Sequence, residues 1–254
     1  MNIIPVASGS SGNCYLAAGG HRGKDMVLLD CGIPLRRIQA ALWERGKGLP
    51  DLQGCLVTHA HGDHVKSAQK LADRGVRVHA SQGTIEAAGL QGPWVHTVKR
   101  AESQGSGRME YLPFRLRGGA EVQAFPVEHD APEPLGFVLT FPPAPGEDGR
   151  ERLVYVTDAP VLKYRIPRVT HLMIEANYDP DVMLGNASEG AFPASHAKRV
   201  AASHMSIGAA LLALSRMDLK HLKEVWLLHL SDDNAGADFK ERAQEVCGCP
   251  VYIA

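Results

Sequence analysis

The chain predicts an α/β architecture in which two mixed sheets pack face to face and helices flank them. Three observations carry that prediction. Short apolar runs of β type fall into two groups along the 254 residues, each group with helical segments of its own. Their order is not the regular βαβ alternation of a doubly wound fold. A hydrophobic fraction of 44% supplies enough apolar surface for a sizeable core.

The elements follow in order. Asn2–Ala7 reads as a strand that runs into the turn-rich Ser8-Gly9-Ser10-Ser11-Gly12-Asn13. Residues 14–17 and 26–30 are the next two strands. Residues 34–46 carry helical spacing, with Leu35, Ile38, Leu42 and Trp43 assigned to one face. A strand over 54–58 and a helix over 65–72 flank a histidine run. Residues 76–80 form a strand and 84–90 a short helix. Strands are expected at 121–127, 135–141, 152–157 and 171–175, with an exposed hairpin loop at 142–149. The polar, Gly-containing stretch 179–194 reads as a loop or lid. A helix over 206–217, a strand over 225–228, a helix over 237–246 and a strand over 251–253 complete the series.

Composition narrows the function classes. Twenty-seven basic residues against 28 acidic ones leave a net charge of −1, so no basic surplus advertises a long polyanion, although a local basic groove remains open. No apolar run has transmembrane length and no secretory signal is visible, which points to a cytoplasmic protein without membrane contact. The five cysteines are odd in number and scattered, apart from the pair Cys247 and Cys249. They read as reduced core residues.

The chemistry concentrates in Thr58-His59-Ala60-His61-Gly62-Asp63-His64. Three imidazoles and a carboxylate within six positions solvate poorly in a core, yet they are the ligand types that borderline divalent metals prefer. The run lies on a strand-to-helix turn. His59 and His61, two apart in extended chain, can point the same way. Asp63 and His64, at the helix entry, can diverge toward a second point, an arrangement suited to two metals. Four other apolar runs end in a similar side chain: Asp30, His129, Asp158 and His229. Each alone is an ordinary turn residue. Together, with the histidine run, they form a coherent set at strand ends.

That set resembles the metallo-β-lactamase-fold hydrolases, and the match spans residues 30–229. The resemblance implies a single domain over 1–254 with an αβ/βα sandwich of four layers. It implies two divalent metal ions, zinc by default with manganese possible. One would be held by His59, His61 and His129, the other by Asp63, His64 and His229, with Asp158 bridging and Asp30 holding the histidine loop. β-Lactamases of this fold commonly lack the bridging aspartate and are secreted, so Asp158 and the missing signal argue against antibiotic hydrolysis. The opening from Ala7 to Cys14 is similar to that of small bacterial and phage members grouped with ribonuclease Z. Ser203-His204-Met205-Ser206 resembles the His-Ser-Thr motif of that branch, with Met205 and Ser206 departing from it. By that resemblance His204 contacts the scissile phosphate or assists the leaving group, and Glu175 is a supporting carboxylate. Asp63 would orient the attacking water. A homodimer is also implied.

The expected reaction is hydrolysis of a nucleotide phosphodiester. The near-neutral charge slightly favours a small cyclic mononucleotide of the cCMP or cUMP type. The alternative is a nuclease that trims DNA or RNA ends, with Lys163, Tyr164 and Arg165 as candidate phosphate or base contacts. A thioester or lactone hydrolase of the same fold, and a metal-stabilised binding module, are weaker readings, the first opposed by the His204 motif. No long inserted arm of the kind used to grip tRNA is seen, since 142–150 is short and acidic.

Overall fold

A computed structural model describes residues 1–20, 25–102, 109–143 and 149–254. The chain divides into two compact units, one of residues 1–126 and 131–151, the other of residues 127–130 and 152–254.

The first unit is built on a sheet of six strands in sequential order: β1 (Asn2–Ala7), β2 (Cys14–Gly19), β3 (Asp25–Leu29), β4 (Leu52–Leu56), β5 (Val78–Ala80) and β6 (Val95–Thr97). The first three run antiparallel to their neighbours and β3 to β6 run parallel. Helices α1 (Leu35–Trp43), α2 (Gly62–Val65), α3 (Ala68–Ala72) and α4 (Gln82–Ala87) lie in the connections. Leu35, Ile38 and Leu42 of α1 pack with Leu16, Leu28, Cys55 and Leu71 in one core cluster. Trp43, assigned to the same face from sequence, is 82% exposed. It lies one residue, or about 100°, round the helix from Leu42, which takes it off the buried stripe.

The same unit holds the ribbon β7 (Arg100–Glu102) with β8 (Met109–Tyr111), and the antiparallel ladder β9 (Phe114–Arg115), β10 (Glu121–Pro126) and β11 (Leu135–Phe141). The hairpin loop expected at 142–149 falls largely on 144–148, outside the described residues.

The second unit carries a parallel sheet of β12 (Glu151–Val156), β13 (His171–Glu175), β14 (Glu224–Leu228) and β15 (Val251–Ile253). All five residues of β13 are buried, as expected of a parallel strand covered on both faces. Its helices are α5 (Pro180–Ser188), α6 (Ala194–Ser203), α7 (Ile207–Ser215) and α8 (Phe239–Cys247).

Two expectations need correction. The stretch 179–194, read as a loop or lid, contains α5. Its start signal is local: the Asp179 carboxylate accepts the Asp181 N–H at 2.9 Å, and Pro180 opens the helix. The helix expected over 65–72 is broken at Lys66 and Ser67. The Ser67 N–H donates to the Cys31 carbonyl at 3.0 Å, and its hydroxyl to the Ile33 carbonyl at 2.6 Å. Those bonds draw the chain out of helical register. Among the described residues no helix is long and apolar enough to cross a membrane. Four of the five cysteines are buried and all are free thiols.

Candidate metal centre

Backbone strain marks the strand ends that the sequence singled out. Asp30 follows β3 with φ 53°, Asp158 follows Thr157 after β12 with φ 48°, and His229 follows β14 with φ 55°. A left-handed conformation is uncommon outside glycine. Here it turns a metal-type side chain off the end of a buried strand, as strain at functional sites often does.

In the first unit Asp30 organises the histidine loop. Its fully buried carboxylate accepts the Thr58 N–H at 2.8 Å, the Thr58 hydroxyl at 2.9 Å and the Nδ1–H of His64 at 2.7 Å. The Thr58 hydroxyl, having given its proton to Asp30, can accept from His59 Nδ1 at 3.0 Å. Both imidazoles are thereby held with Nδ1 on protein oxygens, as in the usual preparation of a metal-binding histidine, whose Nε2 is then the ligand atom. The rings crowd together, with His59 and His61 centroids 4.7 Å apart, edge to face, and His59 and His64 4.1 Å apart. The amide of Asn13 donates to His64 Nε2 at 3.0 Å and to Asp63 Oδ2 at 3.4 Å.

Backbone bonds stitch this loop to its neighbours. Asn13 N–H donates to the Asp63 carbonyl at 2.7 Å, Cys31 N–H to the His64 carbonyl at 2.8 Å, and Gly32 N–H to the Asn13 carbonyl at 2.9 Å. Gly32 permits the approach, because a Cβ there would lie 1.5 Å from the Asp63 carbonyl oxygen.

In the second unit Asp158, Glu175, His204 and His229 each offer a ligand atom, and those atoms lie within 4.8 Å of one another. Glu175, the last residue of β13, is fully buried. Its Oε1 accepts from His204 Nδ1 at 2.7 Å and His229 Nδ1 at 3.1 Å, and its Oε2 from the N–H groups of Ala159 at 3.2 Å and Met205 at 3.1 Å. With both oxygens so engaged, Glu175 positions two imidazoles. Asp158 Oδ1 lies 3.3 Å from each of the same Nδ1 atoms. The two rings stack with centroids 5.1 Å apart. Asn177 braces His229 by donating to its carbonyl at 2.7 Å.

Burial disfavours the charged form of His204, but its hydrogen bonds to Asp158 and Glu175 and the charges of those carboxylates outweigh it and raise the pKa to about 10. The same opposition, with burial against the two carboxylates, leaves His229 raised. His129 donates Nδ1–H to the Ser203 carbonyl at 3.2 Å, and its ring centroid is 6.1 Å from that of His204.

The sequence-predicted residues thus form two prepared sets: His59, His61, Asp63 and His64 with Asp30 in one unit, and His129, Asp158, Glu175, His204 and His229 in the other. Donor chemistry in both fits divalent metal ions, since five imidazoles have Nδ1 tied to an oxygen acceptor and carboxylates stand beside them. Sequence reasoning missed three contributors. Asn13 and Gly32 lie outside any metal-type motif, and Asn177 carried no signal beyond its place two residues past Glu175. The suggested phosphate contacts are otherwise occupied in part: Lys163 forms an ion pair with Glu128, and Arg165 donates to the Arg216 carbonyl at 3.0 Å.

A family model described as the beta-lactamase superfamily domain matches residues 25–230. The chain belongs to that superfamily. Relatives in this superfamily include "Exodeoxyribonuclease YycJ" of Bacillus anthracis, 27% identical over 241 residues, covering 92% of this chain and 84% of the relative. "Exodeoxyribonuclease WalJ" of Streptococcus pneumoniae is 25% identical, covering 90% and 81%. Among solved structures, the metallo-β-lactamase-fold protein YhfI of Bacillus subtilis superposes with a TM-score of 0.70 at 16% identity, over 99% of this chain and 95% of that one. The short form of human tRNase Z superposes at 0.60 and 18% identity, over 100% and 96%. The two likenesses establish the expected metallo-β-lactamase fold, mixed sheets flanked by helices.

Proposed function

We propose that this metal-dependent hydrolase is a dinuclear nuclease that acts on DNA ends. The observation that carries the phosphodiester part is the His204–Glu175 pair. A 2.7 Å hydrogen bond commits His204 Nδ1 to a buried carboxylate, which leaves Nε2 as the ring atom able to meet substrate. The nuclease part is supported by the two relatives, aligned over nine-tenths of the chain and both named exodeoxyribonuclease. That weighs more than the net charge of −1, which had favoured a cyclic mononucleotide, because a local groove suffices for a DNA end.

His59, His61 and His129 would hold one cation, and Asp63, His64 and His229 the other, with Asp158 between them. Zinc suits so imidazole-rich a set, and manganese is the alternative. When bound, the two cations supply charge neutralisation at the phosphate and a water acidic enough to attack at neutral pH. Asp63, 27% exposed at the start of α2, would orient that water. Asp30 and Thr58 hold the tautomers of His64 and His59. His204, braced by Glu175, would donate a proton to the leaving oxygen or stabilise its charge.

The test is a panel on the metal-loaded protein: end-labelled single- and double-stranded DNA, a tRNA precursor, cyclic CMP and UMP, and a lactone. Stepwise release of nucleotides from a DNA end is the expected result. Turnover confined to cyclic mononucleotides or to the lactone would overturn the reading.

A further inference from the structure

An open hollow of about 460 Å³ runs along the start of α6, lined by Phe192, Pro193, Ser195, His196 and Arg199. It belongs to the helix that ends on the proposed reacting histidine. His196, Arg199 and Ser203 follow at spacings of three and four residues, so they form one row on α6. At about 1.5 Å per residue the row spans roughly 10 Å. It ends at Ser203, whose carbonyl receives His129 at 3.2 Å and whose neighbour is His204.

The lining has the chemistry of a nucleotide site. The rings of Phe192 and His196 meet edge to face with centroids 5.2 Å apart. Phe192 is anchored from below, because it packs on the small cluster of Tyr178, Met183 and Ala197. Arg199 is exposed and donates to His196 Nδ1 at 3.2 Å. Among the described residues no carboxylate pairs with it. A cation without an acidic partner beside an anchored phenyl ring and an imidazole can serve a phosphate and a base at once. Packing of α5 on α6 accounts for the position of Phe192, but not for the guanidinium and imidazole gathered over it.

Building on the nuclease reading, we propose that this hollow is the subsite for the nucleotide adjoining the scissile one in a single strand. Arg199 takes its phosphate and its base lies against Phe192 and His196. The substrate is single-stranded at this point, because a base paired within a duplex cannot stack on a protein ring.

The experiment measures binding of a phosphorothioate-linked single-stranded oligonucleotide to the metal-loaded protein across a salt series, with cleavage of the unmodified strand scored separately. Arg199→Ala should weaken binding about 10-fold and reduce the salt slope by about one. Arg199→Lys should restore part of both, as a point charge still meets phosphate. Phe192→Leu, which keeps an apolar anchor, should weaken binding about 5-fold. Lys198→Ala removes the same charge from the same helix, off the row, and should change binding less than about twofold. Binding by Arg199→Ala equal to that of the parent, or equal losses in Arg199→Ala and Lys198→Ala, would overturn the subsite. Cleavage retained beside either result removes the subsite alone. Arg199-dependent binding without any cleavage removes the nuclease reading and leaves the hollow as a single-strand binding site only.

Discussion

Replacing Gly32 by alanine should dismantle half of the candidate metal centre from a position that offers no ligand atom. The added Cβ would stand 1.5 Å from the Asp63 carbonyl oxygen, 2.0 Å from its carbonyl carbon and 2.7 Å from the His64 nitrogen, whereas ordinary contact begins at 3.4 Å. The obstacle is backbone, so no rotamer change relieves it, and the Asp63–His64 peptide must retreat by about 1.9 Å. Functional geometry tolerates displacements of about 0.5 Å. The retreat also strains the bonds from Asn13 N–H to the Asp63 carbonyl and from Cys31 N–H to the His64 carbonyl. Overpacking at about 1–3 kcal/mol and a weakened hydrogen bond at about 1 kcal/mol give a loss of about 3 kcal/mol, or roughly 6–12 °C in Tm. Metal affinity should fall by about 10- to 100-fold, the scale seen when ligand orientation is disturbed. Elemental analysis after dialysis, thermal melting and turnover measure the three effects. Gly62→Ala is the matched control, since a Cβ at Gly62 meets nothing within 4 Å. A Gly32→Ala protein with the parent's metal content and turnover would refute the reasoning.

Other outcomes are expected. His204→Ala should retain metal by elemental analysis and lose about 100-fold in turnover, the scale of one proton-transfer or charge-stabilising group; full turnover would remove its assigned role. Glu175→Gln should lower kcat while the metal ligands stay, because an amide cannot accept from both imidazoles and both backbone N–H groups through its donor end. Asp30→Asn should cost about 2–4 kcal/mol in urea unfolding and reduce metal content, since its NH₂ group would face a donor where the carboxylate now accepts from Thr58 or His64. Away from the centre, burial, then the charges of His96 and Arg77, lower the pKa of His79 from 6.5 to about 3. Its stabilising contribution is therefore complete above pH 6.5 and is lost as pH falls toward 3. The linkage amounts to about 2 kcal/mol at pH 5. A His79→Leu protein should show a correspondingly flatter stability curve between pH 7 and 5, and an unchanged slope would show that His79 is not held neutral.

The chain by itself determined that this is a metal-dependent hydrolase, because its signals are short-range. Three imidazoles and a carboxylate in six positions have no comfortable structural explanation, and a metal-type residue at the end of an apolar run can be read from a handful of neighbours. The ends of β3, β4, β12 and β14 therefore announced Asp30, the histidine loop, Asp158 and His229. The tertiary structure decided how those side chains are prepared. Asp30 reaches Thr58 and His64 across about thirty residues of sequence, Asn13 reaches His64 across fifty-one, and Glu175 reaches His204 and His229 across twenty-nine and fifty-four. Such partners are chosen by strand order and left-handed turns rather than by local pattern. The fit of Gly32 under the Asp63 carbonyl has the same origin. A glycine in sequence is only a missing side chain until packing shows what occupies the space where its Cβ would have been.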